Sequence, residues 1–317
     1  MRSPTSRRSQ MSSASFELRA PTLDDLPALV DFFGAMQAAY GTGGESEGQL
    51  RDQLTSKFAN AEENYRIAVT GGAVHGWASV WHPEPSSERI FIDVKAHPRE
   101  LPMYERLLDW AEERAAALAA GRAVRVHAGA SSDNELLADE VRKRGYELVR
   151  HFFTMEIDLA EEPPAPEWPE GIAVRTYRPG DERALYDADM EAFEDHWDFF
   201  TVPFEEWCEY FIGSSEFDPG LVFLAEEGDE LAGFSLCKNE VRPNTGHVGV
   251  LGVRRPWRRR GLGTALLLHS FREFRRRGRA KADLGVDTEN LTGAVRLYER
   301  VGMSPVRRFD SYRKELA

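Results

Sequence analysis

Cysteine is nearly absent. Cys208 and Cys237 are the two among 317 residues, both in the second half, which supplies neither a disulfide framework nor a zinc-ligand spacing and fits a reducing cytoplasm. No apolar run approaches the roughly 20 residues needed to span a bilayer. The opening MRSPTSRRSQMSSAS carries arginines with no hydrophobic segment behind them, unlike a signal peptide. Residues 1–15 therefore read as a disordered leader ahead of structured sequence from Phe16, with Met1 and Met11 both open as the start. A basic surplus is missing too: 53 acidic against 40 basic side chains leave a formal charge of −13. That balance argues against general attraction to nucleic acid or anionic membranes. Oligomeric state is left open.

What is present is a length of 317 residues with 42% hydrophobic content, enough for two domains of roughly 150 residues each. Laid against itself at an offset of 156 or 157 residues, the chain repeats. ELRAPTLDDLPAL sits against AVRTYRPGDERAL, pairing Arg19 with Arg175, Asp25 with Asp181 and Leu29 with Leu185. Each half then reads as strand, helical region, strand (YRIAV, LVFLA), turn and a strand opening at Gly76 or Gly233. A further strand, a long amphipathic helix, a strand and a helix ending at Gly145 or Gly302 follow. This order predicts a duplicated α/β (α+β) chain of two tandem domains, each a mixed, mostly antiparallel twisted sheet flanked by helices. The expected boundaries are 16–160 and 171–317. Between them lies EEPPAPEWPE, residues 161–170, whose four prolines make it a linker.

One stretch contradicts the acidic balance. RRPWRRRGLGTAL, Arg254 to Leu266, places five arginines around two glycines. The apolar HVGVLGV precedes it and LGTALLLHSFREF follows with helical spacing, so the loop joins a strand to a helix. The first amides of that helix lack intrahelical partners and its dipole is positive there, which suits a phosphate. Gly261 and Gly263 remove side chains that would block the approach. The lysine of a P-loop is missing, and Leu266 stands where a dinucleotide fingerprint needs glycine.

Arg258, Gly261 and Gly263 match the R/Q-x-x-G-x-G/A pattern of the GNAT superfamily of acyl-CoA N-acyltransferases, which the second half resembles. Asn290 and AVRLYERVGM, residues 294–303, resemble that superfamily's asparagine and Leu-Tyr-x-x-x-Gly-Phe ending, with Met303 in place of the phenylalanine. The resemblance implies acetyl-CoA as cosubstrate, no metal, and a small-molecule amine as acceptor. It puts Arg259, Arg260, Gly261, Leu262, Gly263 and Thr264 at the pyrophosphate, and Leu251, Gly252 and Val253 along the pantetheine arm. Arg254, Arg255 and Arg258 are then expected at the remaining phosphates.

Acyl transfer to an amine needs a base, an oxyanion donor and a proton for the departing thiolate. The resemblance makes Tyr298 the general acid. The donor is expected as a backbone amide near Leu251, with Gly252 permitting a bulge. His247, heading the strand before the loop, is the candidate base, since imidazole is the side chain that ordinarily titrates near neutrality. Within the superfamily the chain resembles tandem-domain enzymes of the mycothiol synthase type, which acetylate a cysteinyl-sugar amine. By that resemblance Lys238 binds substrate, while His247 replaces a glutamate and Gly285 a tyrosine. EAFEDHWDFF, residues 191–200, is the expected acceptor pocket, with Trp197 and Asp198 as contacts. In the first half the alignment sets Tyr104 on Gly261, Leu101 on Arg258 and Val141 on Tyr298, which predicts a degenerate domain and one working site. Protein acetylation and acyl-CoA sensing stand as rival functions.

Overall fold

The computed structural model describes residues 16–41, 44–97, 100–290 and 293–316; the leader expected at 1–15 lies outside them. The first half runs β1 (Glu17–Arg19), α1 (Leu26–Tyr40), α2 (Glu47–Thr55), α3 (Ala61–Asn64), β2 (Tyr65–Thr70), β3 (Ala73–Trp81) and β4 (Arg89–Ala96), then α4 (Leu101–Ala119), β5 (Val124–Ser131), α5 (Glu135–Lys143) and β6 (Glu147–Asp158). The second follows as β7 (Ile172–Thr176), α6 (Glu182–Phe193), α7 (Phe204–Phe211), β8 (Val222–Glu227), β9 (Glu230–Arg242) and β10 (Thr245–Val253), then α8 (Leu262–Arg276), β11 (Lys281–Asp287), α9 (Ala294–Arg300) and β12 (Ser304–Leu316).

Both halves open on the same ion pair. Arg19 reaches Asp25 at 2.6 Å, and Arg175 reaches Asp181 at 2.6 Å. Each aspartate also accepts a backbone amide three residues earlier, from Thr22 and from Arg178. The hydrogen bond from Arg19 is the main cause that lowers the Asp25 carboxyl to about 2, and Arg175 lowers Asp181 in the same way. The aligned residues of the repeat thus do the same work twice.

One sheet of twelve strands runs through the molecule, in the order β1-β2-β3-β4-β5-β12-β6-β11-β10-β9-β8-β7. The halves exchange their last strands. β6 pairs along its length with β11, while β12 pairs with β5. Burial explains the exchange: Met155 of β6 is fully buried in the core under α8, and Tyr312 of β12 is fully buried in the core under α4. Each helix shows the spacing that such burial needs. α4 buries Met103, Tyr104, Leu107, Leu108, Ala111 and Ala115, and α8 buries Leu262, Ala265, Leu266 and Phe271. On the opposite face lie α1 in the first half and α6 with α7 in the second. The linker lies along α8, where Arg272 donates to the Pro163 carbonyl at 2.7 Å and Trp168 meets His269 edge-on at 5.6 Å. Among the described residues no helix is long and apolar enough to cross a membrane.

Candidate active site

β10 and β11 run parallel, yet register pairs join them only at Thr245–His247 against Lys281–Asp283. β10 continues to Val253 and β11 to Asp287 without further pairing, so the strands part and a cleft opens between them. His247 and Asp283 are the last pair before it. His247 Nδ1 lies 2.7 Å from Asp283 Oδ1, and Arg242 donates to the other carboxylate oxygen. Burial pushes the Asp283 carboxyl up, but the hydrogen bond and charge of His247 and the charge of Arg242 outweigh it and hold the group below the ordinary carboxylate range. An ionised Asp283 only accepts hydrogen bonds, so Nδ1 carries a proton and, in the neutral ring, Nε2 is the nitrogen with the lone pair. A Cβ built on Gly249 would stand 3.9 Å from Nε2. The basic nitrogen therefore faces that residue.

Gly249 marks the second of two register shifts of β10 against β9, between Val248 and Val250; the first lies between Thr245 and His247. The bulge expected at Gly252 is thus placed three residues too late. Gly252 stays in regular register opposite Phe234, whose ring stands 2.4 Å from where its Cβ would be; glycine is needed there for packing. A bulge leaves its extra residue out of the ladder, which frees backbone polar groups beside His247.

After Val253 the chain turns through a short 3₁₀ segment, Arg255–Trp257, into α8. Gly261 caps α8 at φ +89° with open space over its Cα, a conformation that favours glycine. The first capping bond inside the helix goes from the Ala265 amide to the Gly261 carbonyl, so the amides of Leu262, Gly263 and Thr264 point out of the helix end. Four of the loop arginines have carboxylate partners. Arg254 pairs with Glu191 at 2.6 Å, Arg255 with Asp195 at 2.8 Å, Arg258 with Asp195 at 2.9 Å and Arg260 with Glu227 at 2.7 Å. Arg258 also donates to the carbonyls of Val253 and Ala192, each at 3.1 Å, bracing the loop against α6. Hydrogen bonds from Arg255 and then Arg258 hold the Asp195 carboxyl below its ordinary range. Arg259, at φ +64°, is the loop arginine with no ion pair among the described residues.

Tyr298 lies on α9, 9% exposed in the core shared with α8, and burial raises its phenol to about 12. α9, the start of α8 and the end of β10 converge: a Cβ on Gly263 would meet Leu297 at 3.5 Å and Val253 at 3.6 Å. Asn290 shapes the turn from β11 to α9, donating its amide to the Asp287 carbonyl and accepting from Gly293. Its side-chain nitrogen stands 3.4 Å from His196 Nε2.

Comparison with known proteins agrees with this geometry. A model of the acetyltransferase (GNAT) family matches residues 183–303. A solved GCN5-related N-acetyltransferase from Sphaerobacter thermophilus superposes with a TM-score of 0.74 at 35% identity, covering 95% of each chain. The chain belongs to the GNAT acetyltransferase family. A mycothiol acetyltransferase of Streptomyces bingchenggensis is 36% identical over 204 residues, which is 62% of this chain and 64% of that one; the match spans less than two thirds of that relative. A tandem GNAT protein from the clavulanic acid biosynthesis pathway shares the fold, with a TM-score of 0.74 over 95% of this chain and 98% of its own at 17% identity.

In this GNAT sheet, Lys238 stands opposite His247 across β9 and β10. Its Nζ lies 3.4 Å from Glu216 and 5.9 Å from the Tyr210 ring. Asp198 and Trp197, expected in the acceptor pocket at 191–200, lie against the first half. Asp198, at φ +53°, inserts its carboxylate among first-half side chains, 2.8 Å from the Arg89 and 3.3 Å from the Arg125 guanidinium and 3.2 Å from the His127 ring, whose burial lowers its imidazole to about 4. Trp197 meets His127 edge-on and carries Arg150 over its ring at 5.2 Å. Phe200 packs on Trp81 and Phe91. The mixture of aromatics and carboxylates in this segment serves an interface between the halves.

That interface covers the first half's counterpart of the site. At the offset of 156, His247 falls on Phe91 and Asp283 on His127, and these two rings stack at 5.0 Å. Only residues 97–100 join β4 to α4, where eight residues join β10 to α8. Tyr104 is fully buried there, its hydroxyl donating to the Ala96 carbonyl at 3.1 Å and accepting from Asn134 at 2.9 Å. Asp283, Arg242 and Glu216 had escaped the sequence reading. The one signal for Asp283 was a carboxylate inside the apolar ADLGV, a charge that a buried strand tolerates only when paired.

Proposed function

We propose that this chain transfers an acetyl group from acetyl-CoA to the primary amine of a small molecule, at one site in its second half. The observation that carries this reading is the His247–Asp283 pair at the point where β10 and β11 part, with the free amides of α8 on the adjoining loop. Main-chain amides from Arg259 to Thr264 receive the pyrophosphate, and Leu251 to Val253 pair with the pantetheine arm. His247 Nε2 takes the amine proton directly or through one water, while Asp283 stabilises the imidazolium that forms. A backbone amide at the Gly249 bulge receives the oxyanion. Tyr298 supplies the proton for the leaving sulfur.

A narrower reading is acetylation of a cysteinyl-sugar amine. Lys238 and the 36% identity to a mycothiol acetyltransferase favour it, whereas His247 and the open space over Gly285 depart from that type. Turnover of acetyl-CoA with a panel of amines that includes such a conjugate separates the two. It also separates both from protein acetylation and from acyl-CoA sensing without turnover.

The single site gives a direct expectation. Titration calorimetry should find one acetyl-CoA per chain, and Gly261→Tyr, which strains a left-handed position and fills the approach to the α8 amides, should weaken binding at least about tenfold. Two equivalent sites, or unchanged affinity in the variant, would overturn it.

A further inference from the structure

A small cavity opens on the bulge of β10. Gly249 and Lys238 form one side, and Phe211, Ile212, Phe217 and Leu236 form apolar walls. Glu216 lines the same cavity from the segment after α7. Its two oxygens differ. Oε1 accepts from the Ser46 hydroxyl at 3.0 Å. Oε2 is shut off from solvent and receives no hydrogen bond among the described residues, with Lys238 Nζ as its nearby cation at 3.4 Å. The Lys238 ammonium balances the charge of Oε2 without making a well-formed hydrogen bond to it, so Oε2 can accept one from a group bound in the cavity.

The first half holds Glu216 in place. Ser46 caps α2, its hydroxyl accepting from the Gln49 amide at 3.2 Å. Asp52 on the same helix accepts from the Ser215 amide at 2.7 Å. Gly48 lets the two segments close, because a Cβ there would lie 2.5 Å from the Ser215 hydroxyl. A continuous contact therefore runs from α2 through Ser46 and Glu216 to Lys238, which stands opposite His247.

We infer that Glu216 is the residue that selects the acceptor, taking through Oε2 a hydrogen bond from a second donor group, a hydroxyl or an ammonium, on the amine that is acetylated. This inference rests on the transfer reading above. It narrows the acceptor to a polar amine carrying a further N–H or O–H a few bonds from its reactive nitrogen, with a small apolar portion against Phe211 and Leu236. Ser46 acts through Glu216 and is a positioning residue.

The test compares two probe amines with acetyl-CoA as donor: glucosamine, rich in hydroxyl donors, and hexylamine, which has none beyond its amine. The unmodified chain should favour glucosamine. Glu216→Gln should raise the glucosamine KM about tenfold or more, leaving kcat, the hexylamine constants and acetyl-CoA affinity within about twofold. Ser46→Ala should shift the same ratio in the same direction by about threefold, and it decides the matter if Glu216→Gln does not fold. Equal losses for both amines, a KM that does not move, or a preference for hexylamine in the unmodified chain would each overturn the assignment of Glu216 while transfer itself stands. Transfer to neither amine by the unmodified chain would overturn the transfer reading, and this one with it.

Discussion

Tyr298→Phe is expected to lower kcat by about 10²-fold or more, the usual effect of removing a general acid, while acetyl-CoA affinity stays within about twofold. The phenol is buried against α8, with no charged neighbour among the causes of its shift. Removing one hydroxyl therefore leaves the packing in place. With its phenol at about 12, Tyr298 stays protonated across the whole working range, so its own ionisation should contribute no basic limb below about pH 11. Single-turnover measurement of CoA release separates the chemical step from binding. If kcat remains within about twofold at saturation, Tyr298 serves packing alone.

The His247 and Asp283 pair gives the second large effect. Asp283 is held ionised below the ordinary carboxylate range, so on the proposed reading the acidic limb of kcat/KM belongs to His247 and not to Asp283. His247→Gln should remove that limb and lower the plateau by about 10²-fold. Asp283→Asn keeps the imidazole but takes away the carboxylate that fixes its tautomer and balances its charge. A base without its counter-charge protonates less readily, so the limb should move to lower pH while the plateau falls at least about tenfold. His247→Glu should recover part of the rate with a limb at lower pH. The profiles must be repeated with an acceptor amine of different pKa, because deprotonation of the amine itself produces a similar limb. A limb that follows the acceptor and persists in His247→Gln would remove His247 from the reaction.

The duplication was legible in the sequence because its markers are local. Arg19 with Asp25 and Arg175 with Asp181 stand six residues apart and meet over that short distance. The strand, loop and helix around Gly261 were legible for the same reason: apolar periodicity on both sides and a glycine whose φ of +89° few other residues adopt. The last strand of each half was missed. SPVRRFDSYRKEL has charged residues on much of its length, and its place between β5 and β6 rewards pairing along both edges more than burial of one face.

Partners of charged groups were illegible. Five loop arginines in an acidic chain suggested a phosphate site; four of them meet carboxylates on α6, just after it or on β8, brought close by folding. Asp198 and Trp197 suited an amine pocket by type, but the fold brings Asp198 to Arg89, Arg125 and His127, and Trp197 to His127 and Arg150. By itself, the sequence determined the repeat and the strand, glycine-capped loop and helix around Gly261, since these follow from side-chain period, backbone conformation and short spacing. Tertiary structure alone decided that Asp283 orients His247, that the bulge sits at Gly249, that Tyr104 fills the first half's cleft and that Glu216 hangs from Ser46. Each of these depends on strands and loops distant in the chain meeting at a few ångströms, and a charge or hydroxyl does not reveal its partner until the fold brings the two together.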